Sequence, residues 1–179
     1  MLRRCAPWVL AAQIVIMLGL HSSSTPALAK ASISKNATIQ ADDKVVRAIL
    51  NAFALAEENL HKKNLDGLMT IYSNDFNYKG ISKDDLRKLW ADVFARYHRV
   101  SSSHIFTEIM VENGKPPTAE VICTGGLWAT SNSTGERTRL DSWVEERHRL
   151  IFEDGAWRIR GHTGEDLKNT QFGVAHPFF

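Results

Sequence analysis

The sequence predicts an α+β fold: three N-terminal helices packed on the concave face of a strongly curved antiparallel sheet, a cone-shaped α+β barrel. Three observations predict it. Apolar residues recur every three to four positions from Val45 to Tyr97, and the repeat changes to every second position after Val100. Asp154-Gly155 then separates two alternating runs as a hairpin turn that accepts two positive φ angles. A long antiparallel meander has an apolar face to bury, and the preceding helices supply the cover. A curved sheet wrapped on helices encloses a pocket.

The chain opens on a segment that does not belong to this pattern. Arg3 and Arg4 precede an apolar run from Trp8 to Leu20, and Ala27-Leu28-Ala29 forms a small-x-small cleavage site. The run is about 13 residues where a membrane span needs roughly 20, so residues 1–29 read as an export signal and leave no span after cleavage. The expected location is periplasmic or secreted. The formal charge of +2 over 179 residues resides in Arg3 and Arg4, and the remainder is balanced. That balance argues against nucleic acid as a partner. Cys5 leaves with the signal, so the mature chain keeps Cys123 alone and forms no internal disulfide.

Residues 30–41 mix Ser, Asn and Lys without a period and read as a flexible lead-in to a domain spanning 42–163. Val45, Val46, Ile49, Phe53, Ala56 and Leu60 then mark one face of a helix with Asp42 or Asp43 as its cap, ending near Lys62-Lys63. Leu65, Leu68, Met69 and Tyr72 make a short second helix capped by Asn64, and Phe76 to Ile81 is extended. Ser82 with Asp85 opens a third helix as a capping box, and its stripe runs Leu86, Leu89, Trp90, Val93, Phe94, Tyr97. Strands follow at Ile105–Val111, Ala119–Thr130, Arg139–Glu153 and Ala156–His162, the second interrupted by Gly125-Gly126, where a bulge or bend is expected. Residues 164–179 form a tail whose end, Phe172 to Phe179, is too apolar to stay in water and is expected to fold across the cone or onto a second subunit.

Four phrases carry a resemblance: His61-Lys62-Lys63-Asn64-Leu65-Asp66-Gly67-Leu68, Tyr72-Ser73-Asn74-Asp75-Phe76, the helix from Ser82 to Tyr97, and Glu153-Asp154-Gly155-Ala156-Trp157-Arg158-Ile159. In this order and spacing, from Asp43 to His162, the chain resembles the nuclear transport factor 2-like superfamily, which includes ketosteroid isomerases and SnoaL-like cyclases. The resemblance implies the cone fold and not one activity, since that scaffold serves isomerases, dehydratases, cyclases, binding domains and dimerisation modules. It also implies where a steroid isomerase would place its base and its tyrosine. Those positions fall on Asn77, Tyr78, Lys79 and Gly80 and near Ala56, none of them suited, which argues against steroid isomerisation.

With Asp154-Gly155 as a two-residue turn, Phe152 faces Trp157, Leu150 faces Ile159 and His148 faces Gly161 on the concave face. The same alternation points Glu146 and Val144 inward and Arg147, Arg149, Arg158 and Arg160 outward, with Arg149 opposite Arg160. Glu146 and His148 are then neighbours with Cα atoms roughly 6.7 Å apart, two strand rises. A carboxylate beside an imidazole can fix its tautomer and let it act as acid or base near neutral pH. Tyr97 is the third candidate catalytic residue, a phenol for a substrate carbonyl. Tyr72, Tyr78, Trp90, Trp128 and Trp157 are the candidate ligand-binding wall.

Asp75 reads as a turn cap, Cys123 as a buried apolar residue, and Trp143 as core. No HxH or HExxH spacing, phosphate loop or dinucleotide fingerprint occurs, so no metal or cofactor is expected. Two roles remain open at this level. One is a pocket for a small, partly apolar molecule, with general acid/base chemistry of the isomerase, dehydratase or cyclase kind. The other is a non-catalytic homodimeric module using the outer sheet face and the tail.

Overall fold

The computed structural model describes residues 31–163 and Phe178. Residues 1–30, which include the segment read as an export signal, and residues 164–177 and 179 lie outside the described residues.

Helix α1 (Asp43–Lys62) buries Val46, Ile49, Phe53, Ala56 and Leu60, the stripe expected from spacing. It stops where Lys63 turns left-handed at φ 53°. Asp42 takes the cap position without a side-chain bond. Helix α2 (Leu65–Leu68) is capped by Asn64, whose side chain accepts from Gly67 N–H, and continues as a 3-10 turn, Met69–Ile71. Asn64 also donates to Asn59 at 2.8 Å, tying α2 to α1. After a small hairpin of β2 (Asn77–Tyr78) and β3 (Ile81–Ser82), helix α3 (Lys83–Arg96) begins on the full Ser82–Asp85 capping box. Leu86, Trp90, Val93 and Phe94 face its buried side.

The helices cover a five-stranded sheet in the order β1-β4-β5-β6-β7, built from β1 (Ser32–Gln40), β4 (Tyr97–Glu112), β5 (Thr118–Ser131), β6 (Arg137–Glu153) and β7 (Ala156–Thr163). β4 to β7 form the expected antiparallel meander. Two expectations need correction. The segment read as a flexible lead-in is strand β1, which runs parallel to β4 and covers its edge. Its residues are mostly exposed, so it lacks the apolar alternation that marks a half-buried strand, and its order comes from hydrogen bonding to β4. The sheet is therefore mixed. It also does not close into a barrel, because β1 and β7 remain unjoined edges.

The β6–β7 turn is as expected, with Asp154 and Gly155 at φ 50° and 76°. Glu153 faces Ala156, Phe152 faces Trp157, and Leu150 faces Ile159. Beyond Leu150 the register slips by one: Arg149 pairs with Gly161 and His148 with His162. Arg160 is the extra residue, so it does not sit opposite Arg149. A second irregularity lies between Cys123 and Gly125, where β6 contributes Val144 and Glu145, the latter at φ 50°. It reverses the alternation, so Val144 is 74% exposed and Trp143, not Val144, points inward.

Gly125 explains why a glycine stands beside this bulge. A Cβ there would lie 1.9 Å from the Ser103 carbonyl oxygen and 2.8 Å from the Trp143 ring.

Candidate functional site

The register sets the concave face out in rows. Ser102, Leu127 and Asp141 form one row; His104, Gly125 and Trp143 the next; then Phe106, Cys123 and Glu146; then Ile109, Val121, His148 and His162. All of these but Gly125 are buried. Phe53 of α1 lies across the rows, its ring centroid 5.1 Å from His104, 5.0 Å from Phe106 and 6.1 Å from His148. Burial of so many polar groups among aromatic rings is costly unless each is satisfied, and the arrangement shows how several are.

Cys123 Sγ lies 3.0 Å from His148 Nε2, and His148 Nδ1 lies 2.9 Å from His162 Nδ1. Trp143 Nε1 donates to the sulfur at 3.2 Å. Burial pushes the Cys123 thiol well above its ordinary value, so it keeps its proton. His148 is thus held at both ring nitrogens, Nε2 by Cys123 and Nδ1 by His162. The three groups form a buried hydrogen-bonded file across the concave face.

Acidic groups flank this file. Tyr78 is pushed up to about 12, first by burial and then by the charges of Glu146 and Asp141. Its ring packs edge-on against His162 at 5.0 Å. His104 is held well below its ordinary value by burial and by its neighbour His148, which keeps it neutral. Glu57, on α1, is raised to about 7 by burial. Its Oε1 and the Ser102 hydroxyl are both buried without a hydrogen-bond partner among the described residues. Glu57 stands one helical turn beyond Phe53, and Ser102 two residues before the His104 that Phe53 touches.

Of the residues singled out from sequence, Glu146 and His148 are brought together on the concave face as expected, 3% and 0% exposed. His148, however, is engaged by Cys123 and His162. Cys123 is buried but is not merely apolar filling. Tyr78 lies at the cluster. Trp90 and Tyr72 adjoin one another under α3, with Trp90 Nε1 donating to the Tyr72 hydroxyl at 3.1 Å. Trp157 is buried against Phe152 at a ring distance of 5.5 Å.

Two residues are not brought to the cluster. Tyr97 pairs with Ser131 at the opposite end of β4 from the His148 row. Trp128 follows the inward Leu127, so alternation puts it on the outer face, where it packs against the space a Cβ at Gly126 would need. Cys123, His162 and Glu57 were missed. Glu57 had a signal: it is four residues past Phe53, on the apolar stripe itself. His162 had none, since its inward turn depends on the Arg160 bulge.

On the face of the sheet away from His148, the row Gln40–Met110–Glu120–Arg149 borders a groove of about 640 Å³. Arg149 and Arg160 both line it. Arg147 pairs with Glu120, and Arg158 lies 3.5 Å from Glu153, so two of the four arginines on this face are answered by carboxylates. Among the described residues no helix is long and apolar enough to cross a membrane, and no group of His, Cys, Asp and Glu is set to hold a metal ion.

Helices on one side of an open five-stranded sheet, with a polar file on the face they cover, define an α+β fold. The fold is the one that the sequence resemblance implies, and solved structures share it. It is similar to Aln2 from a Streptomyces species, with a TM-score of 0.54 and 14% identity over 70% of this chain and 93% of that one. A conserved protein from Planctomyces limnophilus gives 0.58 and 17% identity over 69% and 96%. A ketosteroid isomerase-like protein from Erwinia carotovora atroseptica gives 0.50 and 18% identity over 68% and 95%. No family model and no curated protein sequence matches the chain.

Proposed function

We propose that the mature chain is an exported pocket protein that binds a small, partly apolar molecule in the cone and exchanges protons with it through His148. The observation that carries this reading is the set of titratable side chains turned into an aromatic lining. Hydrocarbon would fill these positions at lower cost if packing were their only purpose. His148 is the proton-transfer group, Glu146 supports it from the next row, and Cys123 and His162 orient its ring. Phe53, Phe76 and Trp143 offer the apolar wall. The ketosteroid isomerase-like name of one structure of the same fold fits a proton-moving role, and the reaction proposed is of the isomerase, dehydratase or cyclase kind.

The test uses 2-naphthol, an apolar phenol whose emission separates phenol from phenolate. Saturable quenching of tryptophan fluorescence is expected, lost in His148→Ala while the circular dichroism and cooperative melting persist. Unchanged binding in that variant overturns the assignment.

A homodimer across the outer sheet face is a second reading. Ile105 and Val144, 48% and 74% exposed, flank Thr124 on that face. Sedimentation should show a dimer that Val144→Glu dissociates, and a monomer at all concentrations refutes it.

A further inference from the structure

Phe178 is the described residue of the tail, and it is fully buried. Its ring lies 4.4 Å from the ring of Trp90, and its carbonyl oxygen accepts a hydrogen bond from the Tyr72 hydroxyl at 2.5 Å. Trp90 Nε1 donates to that same hydroxyl oxygen. Because the Tyr72 oxygen receives Trp90's proton, its own proton is directed to the carbonyl. Trp90 therefore contributes a ring face to the ring and, through Tyr72, a fixed donor to the carbonyl. Burial raises the Tyr72 phenol far above its ordinary value, which keeps it a donor.

The cleft adjoins the polar file. Tyr72 packs edge-on against Phe76 at 5.3 Å, and Phe76 against His162 at 5.5 Å. Hydrogen bonds to Tyr72 and then ring contacts through Phe76 thus lead from Phe178 to His162, whose Nδ1 lies 2.9 Å from His148 Nδ1.

We infer that the Tyr72–Trp90 cleft is a recognition subsite for an aromatic ring bearing a nearby carbonyl, occupied in this chain by its own Phe178. The chemical class follows from what fills it: an aryl ketone, an aryl amide or a phenylalanyl unit presents the same ring and acceptor. Phe178 is then a ligand in cis, and an incoming molecule of this class competes with it. The inference rests on the pocket reading for its role beside His148, but its test does not involve His148, so each can fail alone.

The experiment compares the full chain with Phe178→Ala. The probe is N-acetylphenylalaninamide, with toluene as the ring without the carbonyl. The vacated variant should be destabilised, bind the probe with saturable quenching that Trp90→Phe removes, and recover melting temperature as probe is added. The unmodified chain should bind it at least tenfold more weakly. In the vacated variant the amide should bind about fivefold more tightly than toluene, the net worth of one hydrogen bond, and Tyr72→Phe should erase that margin. If Phe178→Ala does not fold, Phe178→Leu is measured in the same way. Equal binding of probe by both chains, or no rescue of either variant, overturns the inference and leaves Phe178 a packing residue.

Discussion

Glu57→Gln isolates the cost of the one acid on the buried stripe of α1. In the folded chain burial lifts the Glu57 carboxyl from 4.5 to about 7, a change of about 2.5 in pKa. Each pKa unit is worth about 1.4 kcal/mol, so keeping Glu57 ionised in the fold costs about 3 kcal/mol. The sign follows from linkage. At a pH below 4.5 the group is protonated in both states and stability is complete. As pH rises from there towards 7, the unfolded chain ionises first and stability falls; above 7 the penalty is constant. Between about pH 5 and about pH 8 the wild type should therefore lose about 2–3 kcal/mol that Glu57→Gln does not lose. With a urea slope of about 1–3 kcal/mol per molar, that is a shift of the unfolding midpoint of about 1–2 M, readily read by tryptophan emission. The quantity compared is the pH-dependent difference between the chains, so other titrating groups cancel. If wild type and variant lose the same stability over this interval, the carboxyl is not held in a desolvated site and its assignment to the cone is wrong.

Gly125→Ala should be among the most damaging single changes, because the Cβ would meet the Ser103 main-chain oxygen at 1.9 Å, which no rotamer relieves. A loss of about 3 kcal/mol, or about 10 °C in melting temperature by calorimetry, is expected; a shift under about 2 °C would contradict the geometry. Ser82→Ala removes the hydroxyl that accepts from Asp85 N–H and should cost about 1 kcal/mol in urea titration without changing the fold; no loss would mean the capping box does not hold α3. Intact-mass measurement of the chain recovered from an exporting host should begin at Lys30, and retention of residues 1–29 would refute the export reading.

The helices were legible because each is amphipathic and carries its own start signal. Ser82 and Asp85 announce α3, and both halves of the box are made. Asn64 announces α2. Asp154-Gly155 announces the β6–β7 hairpin and correctly sets its first four cross-strand pairs, from Glu153–Ala156 to Leu150–Ile159. These are local signals, and local physics decides them. Strand β1 was not legible for the opposite reason. Its residues bury little, so its conformation is dictated by the edge of β4, more than sixty residues away in the chain.

The site was half legible, and the division falls at the bulges. Alternation assigns a face correctly until one strand carries an extra residue, after which every assignment inverts. Reading β6 backwards from the turn, alternation holds through His148 and Glu146 and fails at Glu145, which is why Glu146 was placed inward correctly and Val144 was not. Reading β7 forwards, it fails at Arg160. That one residue moves Gly161 opposite Arg149 and swings His162 into the cone, where it meets His148 Nδ1. The same bulge puts Arg160 at the outer groove with Arg149. Gly161 permits it, since a Cβ there would lie 2.6 Å from the Asn77 carbonyl oxygen and 3.0 Å from the Arg149 guanidinium. The polar file and the arginine pair on opposite faces thus share one structural cause. A substitution that restored regular pairing in β7 would disturb both, while leaving the apolar packing of Leu150 and Ile159 in register.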